Sequence, residues 1–238
     1  MRLVILTAFG VGGATALGAV IGYFFKGCSL RFSNSILAFS SGVMLAATFF
    51  GLVQPAVESG KSSLFAAISG LFFGAISMDV IGKLIASVTP KDFKNTKILL
   101  FILAIAIHNF PEGIASGLGF GTGDITNALM IAGGIALQNI PEGMVVIAPM
   151  VSVGISPRRA LFYAVLTGLV EIFGTLIGYL AITVTKALLP FLLAFAAGTM
   201  LYIICGEMIP EICKENNKDN MYCLLFGFSF MLTLSVLV

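Results

Sequence analysis

Thirty residues separate every matching position of two polar insertions, His108-Asn109-Phe110-Pro111-Glu112-Gly113 and Gln138-Asn139-Ile140-Pro141-Glu142-Gly143. Positions i and i+4 share one face of an α-helix, so His108 adjoins Glu112 and Gln138 adjoins Glu142. Imidazole nitrogen, carboxylate and amide oxygen together make a mixed donor set suited to zinc and other first-row divalent ions. Asn109 and Asn139 point to an adjacent face and could serve a second ion. Each proline lacks an N–H and crowds the preceding turn, which frees the carbonyls of Ile107 and Leu137 and predicts a bend at each polar site. Gly113 and Gly143 then allow close backbone approach.

These insertions sit in strongly apolar sequence. Of the 238 residues, 58% are hydrophobic and only 10% charged, and the mean hydropathy is +1.07. A soluble core could not use so much apolar sequence, and the chain reads as an integral membrane protein. About 20 apolar residues in helical form cross the hydrocarbon of a bilayer. Eight such runs occur, at residues 2–25, 34–57, 63–85, 98–118, 126–150, 159–182, 187–209 and 220–238. They lack the alternation of membrane barrel strands, so the expected fold is all-α, with eight transmembrane helices and kinked spans four and five forming a central metal site. The first run starts at Arg2 but has no clear small-residue cleavage site after it, and is read as a retained helix. No loop is long enough for a separate domain, so residues 1–238 form one transmembrane unit.

Ionisable groups at membrane depth are costly and are functional candidates by default. Besides Glu112 and Glu142, Glu171 lies mid-run in the sixth span and joins the candidate site. Glu207 lies near the cytoplasmic end of the seventh span, where a solvated residue and an exit-path ligand are both open readings. Glu211 reads as a solvated loop residue. Asp79 stands four residues before Lys83, a spacing that fits a local ion pair. Met44, in the second span, could offer a soft thioether, although a lone membrane methionine is ordinarily packing.

Lys and Arg favour the cytoplasmic side. Ten of the thirteen lie in the odd-numbered loops: Lys26, Arg31, Lys83, Lys91, Lys94, Lys97, Arg158, Arg159, Lys214 and Lys218. Arg2, Lys61 and Lys186 are the remainder, so both termini are expected outside the cytoplasm. The cations form no basic face, which excludes nucleic acid as a partner. Cys28, Cys205, Cys213 and Cys223 show no paired zinc or redox spacing. Consecutive spans run in opposite directions, so four identical residues at matched positions imply two half-sites related by approximate inversion through the membrane.

The two insertions, Glu171, the segment Gly206-Glu207-Met208-Ile209-Pro210-Glu211 and the run from Ser41 to Phe50 resemble the ZIP (Zrt/Irt-like) family of divalent metal transporters, in particular its GufA-like branch. The resemblance covers five of the eight spans. It implies a plasma-membrane importer of Zn²⁺, or of Cd²⁺, Fe²⁺ or Mn²⁺, as transported substrate with no prosthetic group, and it implies outward termini and frequent dimerisation. By position it implies a primary site of Met44, His108, Glu112, Gln138 and Glu142, and a neighbouring site of Asn109, Asn139 and Glu171 bridged by both motif glutamates. Gln138 and Gly206 depart from the His that many relatives have there, and Asn139 from the acidic residue that some have. The expected activity is alternating-access metal import without covalent chemistry. An intramembrane metal-dependent hydrolase and a proton-conducting transporter are the alternatives; the hydrolase lacks a His-Glu-x-x-His signature.

Overall fold

A computed structural model describes residues 1–24, 30–58, 63–88, 94–152, 154–184, 186–214 and 218–237. Lys26, Cys28, Lys61 and Lys91 lie outside the described residues. The described residues are helical and contain no strand. In chain order the helices are α1 (Arg2–Phe24), α2 (Leu30–Ala47), α3 (Gln54–Glu58), α4 (Ser63–Val88), α5 (Lys94–Gly119), α6 (Ile125–Ser152), α7 (Pro157–Val184), α8 (Leu189–Ile203), α9 (Ile209–Cys213) and α10 (Lys218–Leu237). Among the described residues, seven helices are long and apolar enough to cross a membrane. The molecule is thus a multi-pass helical membrane protein.

Two predicted spans are less regular than their composition suggests. The second passes from α2 through a π-helical stretch at Thr48–Val53 into α3. The seventh passes from α8 through a π-helical stretch at Ile204–Met208 into α9. Each added residue in a π turn leaves the i to i+4 ladder locally rewound, without a composition that would mark it. Helix α5 begins at Lys94, four residues before the predicted start, and α9 carries helix past Pro210 to Cys213. Polar residues at a span's end are compatible with helix once they lie beyond the hydrocarbon, so hydropathy alone ends those spans early.

Side-chain size sorts the helix faces, since both faces are apolar. In α1 the buried set includes Ala8, Val11, Gly12, Thr15, Gly18, Ala19 and Gly22, spaced three or four apart. Leu6, Phe9, Leu17 and Phe24 point outward. In α4, Ser63, Ala67, Gly70, Gly74 and Met78 are buried while Phe65, Phe72, Phe73 and Ile76 are exposed. Lipid tails are as apolar as leucine, so the gain comes from close backbone packing, and small residues belong inside.

Three glycine seams result. Helix α4 meets α8 through Gly70, Gly74 and Gly198, and α2 meets α10 through Gly42 and Gly227. The third joins α1, α5, α6 and α7. There a Cβ on Gly12 would lie 2.3 Å from the Gly168 carbonyl oxygen, and one on Gly18 would lie 2.1 Å from that of Ile140. A larger apolar cluster that includes Met44, Leu52, Ile131, Leu193 and Met200 fills the space between α2, α6 and α8.

The link between α5 and α6 is short. A 3₁₀ turn at Phe120–Thr122 leads to Gly123, whose φ of 81° is left-handed; glycine adopts that conformation at no steric cost. Asp124 then accepts the Thr126 N–H at 2.8 Å and caps α6. So tight a connection makes α5 and α6 antiparallel neighbours, which sets their two motifs against each other.

Space at each glycine decides the sign of an alanine substitution. Gly74→Ala would place a Cβ 2.1 Å from the Phe195 carbonyl oxygen, and Gly227→Ala one 2.1 Å from that of Phe39. Both should lower the thermal midpoint of the purified protein, at a cost of roughly 1–3 kcal/mol from overpacking. Gly10→Ala and Gly133→Ala meet nothing within 4 Å; better helix propensity should make them neutral or stabilising by up to about 1 kcal/mol. Equal melting shifts in all four variants would refute size sorting as the source of packing.

Candidate metal site

The two motifs occupy α5 and α6, and both helices continue through their prolines. Proline supplies no N–H, so the carbonyls of Ile107 and Leu137 lack their usual i+4 donor. His108 lies in α5, but its side chain is outside the described residues. Its partner motif is fully placed. Glu112 and Gln138 are each completely buried, and the Gln138 Nε2 amide donates to Glu112 Oε1 at 2.8 Å across the α5–α6 interface. Glu142, the counterpart of Glu112, is half-buried on α6.

Glu171 enters from α7, is fully buried, and is clasped by three donors from three helices. Its Oε1 accepts from the Thr15 hydroxyl of α1 at 2.5 Å and from the Asn109 amide of α5 at 2.5 Å. Its Oε2 accepts from the Asn139 amide of α6 at 2.5 Å. A carboxylate facing the amides fixes which end of each asparagine points toward it, because only the NH₂ end can donate.

The motif glycines make that meeting sterically feasible. A Cβ on Gly113 would lie 2.3 Å from the Glu171 main-chain oxygen, and one on Gly143 would lie 2.4 Å from that of Thr15. The repeated glycine therefore serves the same purpose twice. In α5 it admits the helix that carries the acid, and in α6 the helix that carries the hydroxyl.

What remains unsatisfied is informative. Asn109 Oδ1, Glu112 Oε2, Gln138 Oε1 and Asn139 Oδ1 are buried and accept no hydrogen bond. Each would cost roughly 1–3 kcal/mol if left so. All four are oxygen acceptors, and they come from the two repeated motifs. Among the described residues, however, no three His, Cys, Asp or Glu side chains are grouped to hold a metal. The buried acceptors of the described residues are amide as well as carboxylate oxygens.

The other sequence candidates fall into two groups. Met44 is fully buried on α2 within the apolar cluster, and Ser40, one turn earlier, donates to the Gln138 main-chain oxygen at 3.1 Å. That bond holds α2 against the α6 motif. Glu207 is exposed in the π-helical stretch after α8. Glu211 is exposed and pairs with Lys214. Asp79 forms the expected pair with Lys83 at 2.6 Å. Cys205 and Cys213 are free and exposed thiols, and Cys223 is free and half-buried.

Three polar residues of this region escape a motif search. Thr15 sits in a run of small residues on α1, and nothing local marks it as a partner of Glu171. Ser40 donates to backbone from a serine pair. Ser116, buried with an unpartnered hydroxyl, was accessible to reasoning, because it lies one turn beyond Glu112 on the His108 face.

Comparison with known proteins identifies the family. The profile described as ZIP Zinc transporter matches residues 87–235, which include both motifs, Glu171 and Glu207. The chain is similar to Zinc transporter GufA of Myxococcus xanthus, at 37% identity over 94% of each chain. It is 32% identical to Zinc transporter ZIPB of Bordetella bronchiseptica, over 93% of this chain and 76% of that one. With Zinc transporter ZupT of Corynebacterium glutamicum the identity is 33%, over 95% and 97% of the two chains. A family profile covering more than half the sequence, together with near full-length relatives above 30% identity, shows the family: the chain belongs to the ZIP family of zinc transporters.

Proposed function

We propose that this protein carries Zn²⁺, or a similar divalent transition metal such as Cd²⁺, Fe²⁺ or Mn²⁺, across the plasma membrane into the cytoplasm. The observation that carries the reading is the set of buried oxygen acceptors without donors on the two antiparallel motif helices. A divalent cation satisfies several such acceptors at once and offsets the mutual repulsion of neighbouring carboxylates. Names of the similar proteins, all zinc transporters, support the cargo. Transport alone accounts for the site without any bond being broken.

In this reading α5 is the eighth span, its apolar run bracketing the first motif. His108, Glu112, Gln138 and Glu142 hold the ion, with Met44 as the soft donor from α2. Asn109, Asn139 and Glu171, bridged by both motif glutamates, form a neighbouring second site, and Glu207 lies on the exit path. Bends at Pro111 and Pro141 open the space, and the inverted repeat lets the site face either side in turn. Loop charge supports outward termini.

Uptake into vesicles containing the purified protein tests the transport reading. Zn²⁺ should accumulate, and Glu112→Ala or Glu142→Ala should reduce uptake at least about tenfold, as loss of a directly coordinating or metal-orienting group does. Parental rates in both variants would dismiss the ligand assignment. Protons compete with metal for imidazole and carboxylate donors, so apparent affinity should fall as external pH is lowered and recover on return to neutrality. An affinity independent of pH would argue against those donors.

Orientation is tested by thiol labelling with a membrane-impermeant maleimide. Asp124→Cys, in an exposed even-numbered loop, should be modified in intact cells, whereas native Cys213 should react only after permeabilisation. The reverse pattern would place the termini in the cytoplasm.

A further inference from the structure

Helix α4 packs closely on α8, and α5 on α7, but α4 barely touches α5. Between the two pairs lies a cleft of about 360 Å³, walled by Ile81 of α4, Phe110 and Pro111 of α5, Val170 of α7 and Phe195 of α8. On α5 the lining residues Ile107, Phe110, Pro111 and Ile114 recur at steps of three and four. At 3.6 residues per turn they occupy the face opposite Glu112, so the cleft lies behind the first motif and shares no ligand with it. Its two hydroxyls are turned away: Ser77 donates to the Gly74 main-chain oxygen at 2.6 Å, and Thr199 to that of Ala196 at 2.6 Å. No other lining side chain carries a nitrogen or oxygen. Ile81 and Phe110 are exposed, so the cleft opens on the exterior of the protein.

We propose that this cleft binds one acyl chain of a membrane phospholipid, which supports the motif helix α5 from behind where no helix of the protein does. Depth favours that occupant. The walls on α5, α7 and α8 belong to the middle turns of spanning helices, where the surrounding medium is hydrocarbon. Chemistry favours it too, because a headgroup, a water or a peptide backbone would be desolvated there with no partner for its polar groups. Size argues against a helix from a second copy. A helix about 10 Å across would use up 360 Å³ in less than one turn, whereas an acyl chain is narrow and bends to the shape it meets. Left open, the cleft would forfeit dispersion contacts along every wall.

Lipid binding here needs no ion, so its test is separate from uptake. The protein contains no tryptophan, and a single introduced indole is therefore the sole emitter of its kind. Phe195→Trp and Phe110→Trp place that indole on two different walls of the cleft, and Phe72→Trp, at a position 67% exposed on α4, samples bulk lipid. Each full-length variant is reconstituted in phosphatidylcholine vesicles with and without bromine midway along the acyl chains, where bromine quenches indole on contact. Phe195→Trp, although its position is half-buried, should lose emission to bromine as fully as Phe72→Trp does. Adding Ala106→Phe or Val170→Phe, either of which fills the cleft, should restore the Phe195→Trp emission and leave Phe72→Trp quenched. Thermal melts show which reporter and which filler fold, and any folded pair decides the matter. A cleft indole that bromine does not quench, or whose quenching both fillers leave unchanged, would overturn the proposal. So would emission that ignores bromine but shifts when the protein is diluted in the membrane, since that places a second copy in the cleft.

Discussion

A buried acid held by neutral donors from three other helices is the constraint on which the arrangement depends. Glu171 is fully buried in a protein whose exterior is hydrocarbon-facing, and an isolated carboxylate there would be prohibitively unfavourable. Thr15, Asn109 and Asn139 make it tolerable, but only if α1, α5, α6 and α7 come nearer than ordinary side chains permit. Gly12, Gly18, Gly113, Gly143 and Gly168 are therefore part of the electrostatics as much as of the packing. Remove the close approach and the donors no longer reach. Remove the acid and two asparagines lose the reason for their orientation.

The same dependence explains how the motif is composed. Its asparagine faces Glu171, its glutamate is offset by three residues, and its glycine admits the neighbouring helix. Proline adds a free carbonyl and a residue that cannot donate. Four functions thus fit within five consecutive positions of one helix. Their repetition in α6 lets the antiparallel pair present matching donors from opposite directions. The repeats are not equivalent, however. Glu112 receives Gln138, and the first motif has an imidazole, His108, at the position where the second has that amide.

Much of this was legible in the sequence, for reasons specific to membranes. Apolar runs near twenty residues have few alternatives to spanning helices, and an acid or amide inside one is conspicuous, which is how Glu112, Gln138, Asn139 and Glu171 were found. Asp79 and Lys83 followed from spacing alone. Thr15 was not legible, because a hydroxyl among alanines and glycines is common in spanning helices and its partner lies 156 positions away. The π-helical stretches at Thr48–Val53 and Ile204–Met208 were also hidden, since they arise from how α2 and α8 pack and leave no compositional trace. Glu207 illustrates the converse difficulty. Hydropathy places it near a span's end, and the coordinates add that it is exposed within a π-helical stretch.

Reversibility gives the donor set its logic. A structural metal site gains from thiolates and imidazoles that hold the ion tightly, but a carrier must also let go. Amide oxygens can bind a divalent ion without the full charge of a carboxylate. Since Glu171 draws a donor from each of α1, α5 and α6, small relative movement of any of these helices changes the aim of both asparagines together. The orientation of both asparagines thereby becomes a property of how four helices are packed.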